Sequence, residues 1–185
     1  MDCGREGTYR IINRPYPSIR LGKVVESISE FRREYNGQLW VEVMLVDGIN
    51  DGLDEIELLS RLLKRINPDK VHITVPTRPP AESWVKPPPS YKLIMASKIL
   101  SNFISNVEIL PLFEGSNFII KDPNNLIQEL ISIIKVHPMR LRQLISISNR
   151  LGKDPNEVLN KLLSQGVSVI KYQNEDFLVI RKKLS

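Results

Sequence analysis

Residues 39–75 read LWVEVMLVDGINDGLDEIELLSRLLKRINPDKVHITV, and this stretch decides the fold class. LWVEVMLV, residues 39–46, is a nearly continuous apolar run rich in valine, which predicts a strand buried on both faces. DEIELLSRLLKRI has helical periodicity, Asp51 is placed to cap that helix, and Asn67-Pro68 ends it. KVHITV then predicts a second short strand. A strand, a helix and another strand in this order indicate a parallel βαβ unit.

The same alternation extends on both sides of that unit. Apolar residues at helical spacing predict one helix within residues 18–36 and another over residues 90–104. A third short strand is expected at residues 107–111, after strands near residues 39–46 and 70–76. The predicted architecture is therefore α/β, with a parallel sheet covered by helices.

TVPTRPPAESWVKPPPSY, residues 74–91, contains six of the thirteen prolines of the chain. Because proline fixes φ, this segment predicts a stiff loop that presents Arg78, Glu82 and Trp84. Active residues of parallel sheets gather at the carboxyl ends of the strands, where this loop and the DGIND segment both lie. Arg78 is placed either to bind an anionic group or to pair with Glu82. Trp84 is expected to pack on the rim of the fold.

Residues 125–185 show a different pattern, following an expected linker over residues 114–124. Three short helices are predicted, over residues 125–136, 140–149 and 155–165. VSVIKY and DFLVIR then flank QNE as a hairpin, so the order predicts a small winged helix-turn-helix domain. Residues 124–185 carry ten basic and five acidic side chains, whereas residues 1–123 carry 16 of each. A basic domain favours anionic partners, which makes nucleic acid or protein the expected partner of this domain.

Several classes of protein are disfavoured by composition. Cys3 is the one cysteine, so neither an internal disulfide nor a multi-thiolate metal site can form within this chain. No apolar run approaches the ~18 residues of a membrane span, and the first residues do not resemble a secretory signal. A cytoplasmic location without a membrane partner is expected. His72 and His137 have no potential ligand at metal-binding spacing, so both are predicted to be structural.

INRPYPSI, LWVEVMLVDGIND and VHITVPTRPPAESWVKPP together resemble the carboxyl-terminal half of an archaeal-type radical SAM protein, iron–sulfur oxidoreductase-like, with a winged-helix appendage. The resemblance implies a partial (βα) radical SAM-type barrel over residues 1–113, followed by the winged-helix domain at residues 125–185. It implies S-adenosylmethionine and a [4Fe–4S] cluster as cofactors of the complete protein. Such a cluster needs three cysteines in a C-x-x-x-C-x-x-C loop, which this chain lacks, so no cluster is expected on this chain alone.

The same resemblance implies a set of cofactor-binding residues. They are Asp2, Val46, Gly48, Asn50, Thr77 and Arg78. An ordinary structural role stays open for two of them, because Gly48 suits a turn and Asn50 suits a helix cap. The catalytic residues are not identified, and no metal ligand is predicted in this chain.

The implied function is the carboxyl-terminal portion of a radical SAM enzyme. Such a portion is expected to be inactive alone or to be completed by a separate N-terminal half-chain. A truncated frame and a relic kept for its basic tail stay open beside that interpretation. The alternative function is a non-catalytic winged-helix module that binds nucleic acid or protein.

Overall fold

The computed structural model describes residues 1–110 and 118–180, and the chain divides into two compact units, Met1–Phe113 and Glu114–Ser185. Two helices open the described part of the first unit, and from the second of them onward helices and strands alternate. They are α1 (Glu6–Ile12), α2 (Leu21–Glu34), β1 (Trp40–Met44), α3 (Leu53–Ile66), β2 (Lys70–Thr74), α4 (Ser90–Ser101) and β3 (Val107–Ile109).

The three strands of the first unit form a parallel sheet in the order β1-β2-β3. The register pairs Trp40 with Lys70 and Val71 with Val107. Each connection between neighbouring strands contains one helix, α3 or α4, as parallel pairing requires. The predicted mixed α/β architecture with a parallel sheet is confirmed.

One face of this sheet is apolar and is covered by helices. Val41 and Val43 of β1 and Val71 and Ile73 of β2 form a buried cluster with leucine, isoleucine and alanine side chains of α3 and α4. Removal of this apolar surface from water stabilises the unit by about 25 cal/mol per Å². The covered face, which we define as these four strand residues, therefore holds α3 and α4 on the sheet.

The prediction that LWVEVMLV is buried on both faces is wrong. In β1 the burial alternates, because Val41 and Val43 are buried whereas Trp40, Glu42 and Met44 are exposed. Tryptophan and methionine are apolar residues, so the sequence reads as a continuous run although only one face is packed. The strand has the period of two of a sheet with one exposed face.

Two local features of the first unit also differ from the sequence prediction. Asp51 does not cap α3, whose N-cap residue is Gly52 and has no side-chain cap. The carboxylate of Asp51 instead accepts a hydrogen bond from the Gly48 amide and pairs with Lys92 of α4. Helix α1 was not predicted, because seven residues are too few to show a clear helical period.

The second unit contains three helices and a small antiparallel sheet within residues 118–180. Its elements are α5 (Leu126–Val136), β4 (Met139–Arg140), α6 (Leu141–Arg150), α7 (Pro155–Ser164), β5 (Val167–Tyr172) and β6 (Glu175–Ile180). The strand order is β4-β6-β5, with both pairings antiparallel. The three helices and the hairpin lie where the sequence predicts them. The two residues of β4 were not predicted, because a strand of two residues carries no alternation.

The turn of the hairpin consists of Gln173 and Asn174, which both have positive φ, at 48° and 65°. Such a pair of left-handed residues is typical of two-residue hairpin turns. Part of the expected linker over residues 114–124, the expected strand end at residue 111 and the last residue of DFLVIR lie outside the described residues. Within the described ranges, the helices fall short of the length and apolar character that a bilayer crossing requires.

Candidate functional site

The carboxyl ends of β1 and β2 are surrounded by loops that hydrogen bonds hold together. Asp2 accepts hydrogen bonds from the backbone amide of Met44 at 2.8 Å and from the side-chain amide of Asn13 at 3.1 Å. The segment before α1 and the residues after it are thereby fixed to the end of β1. We call this region, residues 1–4, 13–20, 45–52 and 75–89, the carboxyl edge.

Asn50 is the most deeply engaged of the predicted site residues. Its side chain is fully buried, and its Oδ1 accepts a hydrogen bond from the Val46 amide at 2.6 Å. Its Nδ2 donates to the backbone carbonyl oxygens of Asp2 and Met44, both at 2.7 Å. These three bonds hold the segment before α1 against the end of β1. The cofactor contact that the resemblance assigns to Asn50 stays a prediction.

The turn after β1 is anchored to α4 by a charged cluster. Lys92 donates to Asp51 at 2.7 Å and to Asp47 at 3.3 Å. The hydrogen bond to the nearly fully buried Asp51 is the main cause that raises the pKa of Lys92 above its usual value. Gly48 lies between the two aspartates with φ of +70°, a left-handed conformation that favours glycine. The structure therefore supports the turn role for Gly48.

The proline-rich loop after β2 is joined to the residues after α1. Arg14 donates to Glu82 at 2.8 Å, and this hydrogen bond lowers the pKa of the Glu82 carboxyl. Thr77 and Arg78 lie half-buried on the same loop. The structure thus brings Asp2, Val46, Gly48 and Asn50 together around the end of β1 and places Thr77 and Arg78 on the neighbouring loop. The Arg14–Glu82 pair was not predicted, because 68 residues separate its members.

The face of the sheet opposite the covered face is polar and accessible. It presents alternate residues of β1 from Trp40 to Met44, alternate residues of β2 from Lys70 to Thr74, and Glu108 of β3. These side chains are exposed or half-buried, and none belongs to the buried clusters of the described residues. We call this surface the open face. Parallel sheets are usually covered on both faces, so an accessible face with ionisable side chains is an unusual feature.

The charged residues of the open face form an ordered network. Glu108 lies 3.2 Å from the Lys70 ammonium and 3.3 Å from Nε2 of His72. The hydrogen bond from Lys70 is the main cause that lowers the pKa of Glu108, and His72 adds to it. The Lys70 ammonium also lies over the ring of Trp40, and the imidazole of His72 meets that ring edge-on. The network fixes Trp40 beside Lys70 and His72.

Glu42 has a different environment from Glu108. Its carboxylate accepts a hydrogen bond from the hydroxyl of Thr74 at 3.0 Å. The terminal ammonium of Met1 donates to the backbone carbonyl of Glu42 at 2.6 Å, and within residues 1–110 and 118–180 the carboxylate of Glu42 forms no ion pair. A groove of about 420 Å³ begins beside Glu42 and Trp40. The rest of its lining consists of Ser27, Ile28 and Phe31 of α2 together with Met1, Leu39 and Val41, so the groove follows the edge of β1.

A second groove, of about 640 Å³, lies at the other end of the strands near the C-termini of α2 and α3. It is larger and polar, and two of its five charged lining residues, Glu26 and Arg32, form ion pairs within the fold. Arg32 donates to the Asp69 carboxylate at 3.0 Å and to the backbone carbonyls of Asn67 and Gly37. These contacts hold loops together, so the open face is the stronger candidate for a site.

Cys3 is unsuited to bind a metal in this structure. Its side chain is fully buried, and burial raises the pKa of the thiol to about 12, with a further contribution from the carboxylates of Asp2 and Glu55. The thiol is therefore protonated at neutral pH, whereas a cluster ligand is a thiolate. Among the described residues no group of three or more His, Cys, Asp or Glu side chains could hold a metal ion.

The chain is similar over nearly its whole length to a UPF0026 protein of Methanocaldococcus jannaschii, with 32% identity over 186 residues. The match covers 96% of this chain and 55% of that protein, so the chain spans about half the length of this relative. A UPF0026 protein of Helicobacter pylori is 37% identical over 68 residues, which are 37% of this chain and 22% of that protein.

GTPase Obg of Brachyspira hyodysenteriae is 25% identical over 183 residues, or 91% of this chain and 27% of that protein. No protein-family model matches the chain, and no solved structure matches it. The two relatives with the higher identity are thus UPF0026 proteins.

These relatives correct the functional predictions made from the sequence. The names of the UPF0026 proteins give no support to a radical SAM protein, so the resemblance assigned to INRPYPSI, LWVEVMLVDGIND and VHITVPTRPPAESWVKPP is wrong. The assignment as the carboxyl-terminal part of a radical SAM enzyme is wrong with it. The alternative, a module that binds nucleic acid or protein, is contradicted on the same ground.

The open face was missed at the level of the sequence although a signal for it exists. In KVHIT, Lys70, His72 and Thr74 alternate with Val71 and Ile73, which is the pattern of a strand with one polar face. His72 was predicted to be structural because its neighbours in the sequence include no potential metal ligand. In the sheet, its ionisable neighbours are Glu42 of β1 and Glu108 of β3, which are distant in the sequence.

Proposed function

We propose that the first unit is a small-molecule-binding domain whose site is the open face together with the carboxyl edge. The observation that carries the proposal is an accessible face of a parallel sheet that presents an ordered network of Lys70, His72, Glu108 and Trp40. A few polar groups in fixed positions beside an aromatic side chain are typical of small-ligand sites. The loops of the carboxyl edge lie where parallel sheets bind their ligands.

We also propose that the fold of the first unit is a sector of a (βα) barrel. The strands follow each other in chain order, and α3 and α4 both pack on the covered face. A doubly wound sheet would have helices on both faces, whereas a barrel has all its helices on the outside. The open face would then line the interior of the barrel.

For the second unit, the order α5-β4-α6-α7-β5-β6 supports a winged helix-turn-helix arrangement as a finer description of its fold. This proposal concerns the fold alone, and it implies no binding partner.

The proposal for the first unit can be tested with reporters that the chain already contains. Met44 and His72 belong to the open face, whereas Met139 and His137 belong to the second unit. The protein would carry ¹³C in its methionine methyl groups and histidine rings. It would then be titrated with a panel of amino acids, aliphatic amines, nucleosides, sugars and carboxylic acids.

At least one class of compound should shift the NMR signals of Met44 and His72 and leave those of Met139 and His137 in place. Trp40→Ala should weaken that binding, because it removes an aromatic wall of the site. Phe103→Ala, which removes an exposed aromatic ring after α4 and outside both the open face and the carboxyl edge, is the matched control and should bind as the wild type does. If no class shifts Met44 and His72, or if Met139 and His137 shift equally, the proposed function is wrong.

A further inference from the structure

We infer that one edge of β1 is a docking site for a parallel β-strand that is supplied by a polypeptide region outside residues 1–185. The inference goes beyond the proposed function, because it concerns a protein partner rather than a small ligand. β1 is an outer strand of the sheet order β1-β2-β3. We define the free edge as the backbone amides and carbonyls of Trp40, Glu42 and Met44, which point away from β2.

The register with β2 determines which backbone groups are available. The amide of Leu45 donates to the carbonyl oxygen of Thr74 at 2.8 Å, so the odd-numbered residues of β1 bond to β2. The even-numbered residues direct their amides and carbonyls to the free edge, as in other outer strands. Within residues 1–110 and 118–180, the amide and carbonyl of Trp40 and the amide of Glu42 have no hydrogen-bond partner.

The first two residues of the chain indicate the direction of the added strand. The terminal ammonium of Met1 donates to the carbonyl of Glu42 at 2.6 Å, and the carboxylate of Asp2 accepts from the amide of Met44 at 2.8 Å. This segment therefore runs parallel to β1. A residue of a parallel strand donates to one carbonyl and accepts from the amide two residues further on. The carbonyl of Trp40 and the amide of Glu42 have this spacing, so one parallel strand can bond to both.

The groove of about 420 Å³ provides space for the side chains of such a strand. It follows the free edge, and Ser27, Ile28 and Phe31 of α2 line it on the side of that helix. The ring of Phe31 is 50% exposed and stacks on Tyr35. Because side chains of a strand alternate between its faces, every second residue of the added strand would face these α2 side chains. Burial of apolar surface there favours a segment that is apolar at alternate positions.

The sequence of β1 does not protect its edge against pairing. Edge strands that stay in water commonly carry lysine, proline or a bulge. Trp40–Met44 reads WVEVM, without lysine or proline, and its register with β2 is continuous. The charged side chain of Glu42 bonds to Thr74 on the open face. The UPF0026 protein of Methanocaldococcus jannaschii has a further region of comparable size, since the match covers 55% of its length. A polypeptide of that kind is the partner that we infer.

The experiment co-expresses residues 1–185 with the region of the Methanocaldococcus jannaschii protein outside the match, as two separate polypeptides of which one carries an affinity tag. The two should purify together. Hydrogen–deuterium exchange followed by NMR should then show that the Trp40 and Glu42 amides exchange at least about tenfold more slowly than in this chain alone. The amides of Val41 and Val43 face β2 in both samples, so their exchange is the internal control.

A pair of variants at one position separates the backbone from the side chain. Glu42→Pro removes an amide of the free edge, a change that outer strands tolerate, and it should weaken the association about five- to tenfold. Glu42→Gln is the matched control, because it alters the same side chain and keeps the amide, and it should associate as the wild type does. If circular dichroism shows that Glu42→Pro is unfolded, the exchange of the Trp40 and Glu42 amides in the wild-type complex decides the question.

The absence of association, or association that leaves the exchange of the Trp40 and Glu42 amides unchanged, would overturn the inference. A dimer of this chain alone that protects the same amides would show that a second copy occupies the free edge, and it would overturn the inference as well. The shifts of Met44 and His72 with small ligands are measured separately. Failure of the strand pairing is therefore distinguishable from failure of the proposed function.

Discussion

The two faces of the parallel sheet are built from the same three strands, yet they have opposite chemistry. On the covered face, valine and isoleucine pack against α3 and α4, and the side chains are almost fully buried. On the open face, the intervening residues of the same strands are accessible, and apart from Met44 and Thr74 they are ionisable or aromatic. The comparison shows that tight packing and accessible polar chemistry are divided between alternate residues of the same strands.

The largest expected effect comes from adjacent residues that point to opposite faces. Ile73→Ala on the covered face should reduce the free energy of unfolding by about 2–5 kcal/mol, because it leaves a cavity in a packed cluster. Thr74→Val on the open face removes a hydroxyl without changing the shape, and it should cost less than about 1 kcal/mol. Urea unfolding followed by circular dichroism measures both changes.

Similar losses for Ile73→Ala and Thr74→Val would show that the open face is packed as the covered face is. The division of roles between the two faces would then be wrong. The ratio of the two losses in free energy of unfolding is informative even if both losses are small, because Ile73 and Thr74 are adjacent residues of β2.

A substitution at the carboxyl edge is expected to have an intermediate effect on the free energy of unfolding. Asn50→Ala should reduce the free energy of unfolding by about 1–3 kcal/mol, because it leaves the buried amide of Val46 without its acceptor. Asn13→Ala removes an amide that bonds to Asp2 at an exposed position, and it should cost less. Thermal unfolding of the two variants measures the difference. Equal stability of the Asn50 and Asn13 variants would contradict the structural role of Asn50.

The covered face could be predicted from the sequence because its pattern is local. Residues 39–75 contain a strand, a helix and a strand whose apolar residues show the expected periods, and the parallel sheet follows from the connection lengths. The exposure of β1 could not be predicted in the same way. Trp40 and Met44 are apolar residues, and nothing in their immediate neighbours indicates that no helix packs on them.

The candidate site depends on contacts between distant residues, and this is why most of it escaped prediction. His72 meets Glu108 across 36 residues and Trp40 across 32. Asp51 illustrates the same limit, because its position predicts a helix cap but Lys92 of α4 pairs with its carboxylate. The position of the DGIND segment and the proline-rich loop at the carboxyl ends of the strands could be predicted, because both directly follow strands that the apolar periodicity indicates.

The smallest expected effect concerns the pH dependence of the Lys92 cluster. The pKa of Lys92 is raised in the folded chain, so its stabilising contribution is fully present below the unfolded pKa of about 10.4. That contribution is lost as the pH rises through the higher folded value. The difference in melting temperature between the wild type and Lys92→Met should therefore be constant near pH 8–9 and shrink above about pH 10.4.

Lys98→Met is the matched control for the pH series. Lys98 lies on the same helix and makes no ion pair in the part of the chain that the structure describes. Its difference from the wild type should stay close to constant over the same range. A Lys92→Met difference that also stays constant to high pH would show that the ion pair with Asp51 does not stabilise the fold.

Gly4 constrains how this sequence can vary. A Cβ atom added to Gly4 would lie 2.6 Å from the carbonyl oxygen of Glu55 and 2.6 Å from the amide nitrogen of Leu59, both of which are backbone atoms of α3. The carboxylate of Glu55 also accepts hydrogen bonds from the backbone amides of Gly4 and Arg5, and these bonds hold the segment before α1 against α3. A larger residue at position 4 is thus blocked by backbone atoms of α3, and no change of side chain in α3 can make room for it.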